Sequence, residues 1–95
     1  MDIKINLPDD IEEYRQELKV FFDAMVYKLH QNAHKGKWED TTFEQVEKRI
    51  LDEFSELEEA IIANNTVEII LEGADVANFA MIAASVAVRG DKQSD

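Results

Sequence analysis

Apolar residues recur every third or fourth position along most of this chain, and very few residues interrupt that spacing. Its 95 residues include one proline and three glycines, so long segments can stay helical without a break. A turn-rich all-β fold would need many more of both residues. We therefore predict an all-α fold, an antiparallel bundle of three main helices that forms a single domain over residues 1–95. Residues 1–8 would form an N-terminal arm and residues 91–95 a flexible tail.

The first predicted helix follows the only proline. Pro8 or Asp9 starts it, because proline suits the first turn of a helix. The apolar spacing then continues to about residues 32–35, where the helix is expected to end. A polar loop over residues 34–40 follows and leads to the second helix.

Two capping boxes open the second and third predicted helices. Thr41 with Glu44 begins the second helix, and Asn65 with Glu68 begins the third. The third helix is expected to run to about Arg89, just before a glycine that can end it. The apolar stripe of the second helix consists of Phe43, Val46, Ile50, Phe54, Leu57 and Ile61.

The third predicted helix is apolar on nearly all sides. Over residues 73–88 only Asp75, Asn78 and Ser85 are polar. Such a helix must be buried on most sides, and two other helices from one small chain can hardly cover it. We therefore expect the bundle to be completed by oligomerisation, as a homodimer or homotetramer with closed symmetry. The stretch is shorter than a bilayer span, so no membrane partner is expected.

The charge balance narrows the choice of partners. With a net charge of −11 and a pI near 4.5, the chain lacks the basic surface that nucleic acid polymers require. A single nucleotide is still compatible, because its phosphates can arrive together with metal ions. The absence of cysteine excludes disulfides and thiolate metal sites. No signal peptide is visible at the N-terminus, so a cytoplasmic protein is expected.

Two acidic pairs flank the turn between the second and third helices. Glu53 and Glu56 precede it, whereas Glu72 and Asp75 follow it at a similar distance. In a helical hairpin these four carboxylates lie at the same height and repel one another unless a cation or protons neutralise them. Oxygen ligands suit Mg²⁺, with Mn²⁺ as the alternative. All four are therefore candidate metal ligands.

Simpler interpretations of these acids have to be considered beside the metal site. Glu53 could pair with Arg49 one helical turn away, as an ordinary surface acid would. Asp75, surrounded by apolar residues, needs either a partner or a metal ion to offset its desolvation. Di-iron bundles use Glu-x-x-His pairs, and no histidine follows these acids at that spacing. His30 and His34 could contact phosphate or metal, although solvated histidines near a helix end are commoner.

The loop after the first helix supplies candidate substrate-binding residues. Lys35 and Lys37 can bind phosphate as point charges, and Trp38 can stack on a base. The alternative is that Trp38 covers the core of the bundle while both lysines are solvated.

The acidic pairs and the loop together resemble the all-α nucleoside triphosphate pyrophosphohydrolases of the MazG type, in particular the small single-domain members common in phages and mobile elements. The similarity covers about residues 14–88. One departure is Asp52-Glu53, where the family often has two glutamates. The matching segments are Asn32-x-x-Lys35-Gly36-x-Trp38, Glu53-x-x-Glu56 and Glu72-Gly-Ala-Asp75-Val-Ala-Asn78-Phe79.

This resemblance implies an enzyme that hydrolyses a (d)NTP between its α and β phosphates, giving (d)NMP and pyrophosphate. It implies Mg²⁺ held by Glu53, Glu56, Glu72 and Asp75, with Glu53 and Glu56 as the candidate catalytic acids that orient or deprotonate water. It also implies a sugar or phosphate contact for Asn78, and an oligomer in which the loop of one chain completes a neighbouring site.

Two other classes of function fit the same sequence. The first is a helical module that binds a nucleotide or cation without turning it over. The second is an adaptor bundle whose apolar third helix docks a partner protein.

Overall fold

The chain folds into three long α-helices, which confirms the predicted all-α class. The computed structural model describes residues 4, 6–35 and 38–91, and within these no β-strand occurs. Most of the predicted arm and tail therefore lies outside the described residues. The helices are α1 (Arg15–Gln31), α2 (Phe43–Ile62) and α3 (Thr66–Arg89).

The central helix is α3, which packs against both α1 and α2, whereas α1 and α2 have little contact with each other. A turn of three residues joins α2 to α3, so these two form the predicted hairpin. A longer connection, which includes a short 3₁₀ turn, joins α1 to α2. The cleft between the three helices therefore has α3 as its floor.

The first helix begins where the sequence predicts, but its first turns are tighter than an α-helix. Residues Asp9–Tyr14 form a 3₁₀ helix with Pro8 at its N-cap, and α1 continues from it. After α1 ends at Gln31, Ala33–Lys35 add one more 3₁₀ turn. The predicted end at residues 32–35 is thus confirmed.

The cap of α2 differs from the prediction by one residue. Thr42, not Thr41, is the N-cap: its hydroxyl accepts a 3.2 Å hydrogen bond from the backbone N–H of Gln45. The Gln45 side chain in turn accepts one from the Thr42 N–H at 3.1 Å, which completes the capping box in place of the predicted Glu44. Thr41 is buried instead, and its hydroxyl donates a hydrogen bond to the same Gln45 oxygen. Both threonines therefore stabilise the first turn of α2.

The turn into α3 is formed by two asparagines. Asn64 has a φ of 52°, in the left-handed region that asparagine tolerates better than most residues. The side chain of Asn65 accepts a 3.2 Å hydrogen bond from the backbone N–H of Glu68, which forms the N-cap half of the predicted box. Gly90, with a φ of 92°, follows the last residue of α3, as predicted.

The buried core of the single chain is small. One cluster of buried residues lies at the interface of α2 and α3, while much of the predicted stripe of α2 is exposed. Phe43, Phe54 and Ile61 are exposed, because α1 packs on α3 and leaves this side of α2 uncovered. The cluster is made of Val46, Phe79, Ile82 and Val86, with Ile50 and Ala83 packed against it.

By length and composition alone, α3 could span a membrane. It has 24 residues and a mean hydropathy of 1.5 over its most apolar window. The predicted bounds of this helix are confirmed, but its most apolar window is longer than the stretch of residues 73–88 that was judged too short to span a bilayer. Core helices of soluble proteins satisfy the same criterion. Asp75 and Asn78 on α3 are buried against neighbouring parts of the chain.

Candidate functional site

A cavity of about 460 Å³ opens in the cleft between the three helices. Its size is in the range of about 300–1,000 Å³ that is usual for small-molecule sites. Seven of the predicted site residues line it, and the eighth, Lys37, lies outside the described residues. The seven are Lys35, Trp38, Glu53, Glu56, Glu72, Asp75 and Asn78.

Three of the predicted acids meet closely enough to hold one ion. Glu53 and Glu56, one turn apart on α2, face Glu72 on α3, and their carboxylate oxygens lie within 4.8 Å of one another. Glu53 is buried, Glu72 is half-buried and Glu56 is exposed. The hairpin thus brings these side chains to the same height, as the spacing about the turn predicts.

Two oxygens of this cluster are buried without a hydrogen-bond donor. Glu53 Oε2 and Glu72 Oε2 have no partner among the described residues. A buried carboxylate oxygen without a partner is costly, so most such groups in proteins find a donor or a cation. Glu53 and Glu72 therefore each have an oxygen that could still bind a donor or a cation.

Burial and repulsion from nearby acids raise the pKa values of Glu53 and Glu72. Desolvation raises the pKa of Glu53 to about 7, with a further increase from the neighbouring Glu56 carboxylate and the charge of Asp75, against the opposing effect of Arg49. Desolvation and the same Glu56 carboxylate raise the pKa of Glu72 to about 7 as well. The cluster therefore holds protons near neutral pH or exchanges them for a cation.

Asp75, the fourth predicted metal ligand, is engaged differently. Its Oδ2 forms a 3.2 Å ion pair with Lys28 Nζ from α1, and the two side chains are only 11% and 16% exposed. Burial lowers the pKa of Lys28, but the hydrogen bond and charge of Asp75, aided by Glu72 and Glu53, outweigh it and raise that pKa overall. Asp75 is thus paired with a lysine in this structure and is not part of the close cluster of three.

The alternative partner of Glu53 is also present. Arg49 Nη2 lies 3.1 Å from Glu53 Oε1, the predicted pairing across one turn of α2. The Arg49 guanidinium also lies 5.2 Å from the centre of the Phe79 ring. Because this pair engages only Oε1, it leaves Oε2 of Glu53 available to the cluster.

Trp38 both contacts the core and lines the cavity. Its ring meets Phe79 edge to face, with centroids 5.3 Å apart, so it does cover the core. It is nevertheless 39% exposed and lines the cavity. Arg89 Nη2, near the end of α3, donates to the carbonyls of Trp38 at 2.8 Å and Thr41 at 2.9 Å, which ties the loop to the bundle.

Asn78 lines the cavity and has one side-chain acceptor without a hydrogen-bond donor among the described residues. Its Nδ2 donates to the Met25 carbonyl at 3.1 Å, and this bond determines which way the amide points. Its Oδ1 is buried and lacks a hydrogen-bond donor within the described residues. Asn78 is therefore prepared to accept, not to donate, a hydrogen bond from a ligand.

Lys28 is the important site residue that the sequence interpretation missed. It lies four residues before Asn32, so both share a face of the first helix, and both line the cavity. The spacing of four residues between Lys28 and Asn32 was the sequence signal that could have identified Lys28 as a site residue. The two histidines are exposed and do not line this cavity, which agrees with solvated residues near a helix end.

Comparison with protein-family models, with curated proteins and with solved structures gave no match for this chain. The resemblance to MazG-type pyrophosphohydrolases therefore stays a prediction from the motifs.

Proposed function

We propose that this protein is a Mg²⁺-dependent nucleoside triphosphate pyrophosphohydrolase that converts a (d)NTP to (d)NMP and pyrophosphate. The observation that best supports this proposal is one cavity that contains three clustered carboxylates together with Lys35 and Trp38. These residues offer a metal site, a phosphate contact and an aromatic surface for a base, which together are what a metal–nucleotide complex requires.

The donor atoms of the cluster fit a hard divalent cation. They are all oxygens, and two of them are buried without another partner in the described part of the chain. Mg²⁺ held there, or Mn²⁺ in its place, would neutralise phosphate charge and lower the pKa of a water molecule. Zinc sites in proteins usually include histidine or cysteine, and the cluster has neither.

The acids of the cluster would also handle the proton of the attacking water. In the proposed reaction water attacks the α-phosphorus, the bond to the bridging oxygen breaks, and pyrophosphate leaves. Glu56 is the most exposed of the three acids, so its carboxylate can reach that water and accept its proton. Glu53 orients the same water from the buried side. Lys35, with Lys37 in the same loop, stabilises the charge of the departing pyrophosphate.

The nucleoside would lie between the loop and α3. The exposed part of Trp38 offers a face or edge for the base. Asn78 Oδ1 accepts hydrogen bonds only, and phosphate oxygens are largely unprotonated at neutral pH, so a sugar hydroxyl is the better partner. Of the two contacts that the resemblance implies for Asn78, sugar or phosphate, we therefore propose the sugar.

The exposed apolar surface favours a homodimer or homotetramer as the active form. Large apolar side chains are exposed on every helix, and a single chain leaves them in water. A neighbouring copy that covers them could also bring its loop to this cavity. The most exposed on α2 and α3 are Leu51, Phe54, Ile61, Ile62, Val67 and Val88.

One assay tests the proposed reaction directly. The purified chain is incubated with each dNTP and NTP and Mg²⁺ in ¹⁸O-labelled water, and the products are separated. The proposal expects (d)NMP and pyrophosphate, with the label in the (d)NMP because water attacks the α-phosphorus. Glu56→Gln is expected to be inactive, whereas Glu59→Gln, an equal charge change at an exposed position of α2, stays active.

The other outcomes identify the rival functions. Diphosphate and orthophosphate as products would contradict the assignment. Tight binding of dNTP in calorimetry with no product would favour a binding module without turnover. No thermal shift with Mg²⁺ and nucleotide, together with a monomer in solution, would favour an adaptor bundle that awaits a partner.

A further inference from the structure

Lys28 places a positive charge inside the acidic cavity. Its ammonium lies 3.2 Å from Asp75 Oδ2, and both side chains are largely buried, with 16% and 11% exposure. This pair joins α1 to α3, so its position depends on the packing of the bundle. An exposed lysine pair, such as Lys19 with Asp23 on α1, has no such constraint.

The net charge of the acidic and basic side chains in the cavity matches one divalent ion. Glu53, Glu56, Glu72 and Asp75 carry four negative charges when ionised, and Lys28 and Arg49 offset two of them through ion pairs. The two charges that remain match a single divalent cation. Lys35 lines the cavity too, but it is exposed and makes no ion pair with these acids in the described structure.

The three glutamates form a close cluster in the cavity, whereas Asp75 is not part of it. The close cluster includes Glu53, Glu56 and Glu72, and Glu53, whose side chain is 9% exposed, also has a buried oxygen without a hydrogen-bond partner among the described residues. Asp75 is not part of that cluster, and its Oδ2 is engaged by Lys28. A second cation at Asp75 would therefore have to lie beside the ammonium of Lys28, whose positive charge repels it.

We propose that Lys28 takes the place of a second divalent cation, so that without nucleotide the cavity binds one metal ion per chain and not two. This inference depends on the metal site of the proposed function. Sites with two metal ions use both to stabilise the attacking and leaving oxygens. Here a tethered ammonium supplies one of those charges.

Mn²⁺ titration tests the stoichiometry without any catalytic readout. The metal-free full chain is titrated with Mn²⁺ alone, and the free ion is followed by electron paramagnetic resonance. We expect about one Mn²⁺ per chain for the unmodified protein and about two for Lys28→Met, which frees Asp75. Lys28→Arg keeps the charge and should bind about one, as should the exposed control Lys19→Met.

The outcomes separate this inference from the proposed function. Two ions bound by the unmodified protein, or one by a folded Lys28→Met, would overturn the role of Lys28 while the metal site stands. No binding at all would remove the metal site and the inference with it. If circular dichroism shows that Lys28→Met does not fold, the double variant Lys28→Met with Asp75→Asn removes both charges of the pair. It should bind about one ion, and two would overturn the proposal.

Discussion

The protonation state of Glu53 depends on two opposing effects. Arg49 on its own helix favours its charged form, whereas burial and the facing acids favour its protonated form. Glu72 lies in a similar position, with Lys28 as the opposing cation. The balance of these influences leaves the cluster able to exchange protons for a cation near neutral pH.

Glu56→Gln is expected to abolish turnover without harming the fold. An amide cannot accept the proton of water and is a poor ligand for Mg²⁺, so kcat should fall at least about 100-fold. In metal-free protein the melting temperature should stay the same or rise, because one repelling charge is gone. Steady-state kinetics and calorimetry measure both. A clear loss of helical signal would instead mean that Glu56 is structural.

Asp75→Asn is expected to behave differently from Glu56→Gln. It leaves the half-buried ammonium of Lys28 without its charged partner, so the free energy of unfolding should fall by about 2 kcal/mol. Chemical denaturation measures this loss. Adding Lys28→Met to Asp75→Asn should recover part of it, and strictly additive losses would argue against the ion pair.

The stability of the metal-free protein should decline as the pH rises through neutrality. Glu53 and Glu72 have pKa values raised to about 7, so the folded state holds their protons more tightly than the unfolded chain. Their contribution to stability is complete below about pH 4.3 and is lost as the pH rises through the folded pKa. Urea unfolding with a chelator, between about pH 5 and 8, should show the decline. Glu72→Gln should make it shallower, and an unchanged slope would count against the raised pKa.

At the scale of the helices, short polar motifs decide where each element begins. The α2 start combines the two threonines with one glutamine side chain that accepts from both. The α3 start needs a left-handed residue followed by a cap, and two asparagines supply them. The positions at which the helices begin matter because they determine which turns of α2 and α3 lie opposite each other, and therefore which acids meet.

Thr42→Ala should destabilise the protein by about 1 kcal/mol, because the Gln45 N–H at the start of α2 loses its acceptor. Thr42→Ser keeps the hydroxyl and should restore most of that stability. Urea denaturation of both variants measures the difference. Equal losses for alanine and serine would mean that the methyl group, and not the cap, is responsible.

For the whole molecule, the unusual property is how much apolar surface a single chain exposes. A small cluster of buried residues lies between α2 and α3, and beside it lies a groove formed in part by Phe43, Ile50 and Leu51. A charge of −11 keeps copies apart unless burial of apolar surface outweighs the repulsion. We expect the burial of apolar surface to outweigh this repulsion, so that a specific oligomer forms. Its assembly should become more favourable as salt screens the charge.

Leu51→Glu is expected to shift the oligomer to monomers of 10.9 kDa. Leu51 is 60% exposed in the chain, so the change should not disturb the fold but would bury a charge in the interface. Light scattering coupled to gel filtration measures the mass. Glu47→Gln in the same groove is the control and should stay oligomeric. A monomer for the unmodified chain would contradict this assembly.

The sequence by itself determined the helical class, the approximate ends of the helices and the meeting of the acids across the α2–α3 hairpin. Those features follow from spacings of three and four residues and from a short turn, which are local in the chain. Only the tertiary structure decided that Lys28 pairs with Asp75, that Asn78 donates to the Met25 carbonyl, and that Arg89 binds the carbonyl of Trp38 in the loop. These contacts depend on how α1 lies against α3. The connection from α1 to α2 has no periodicity from which that arrangement could be predicted.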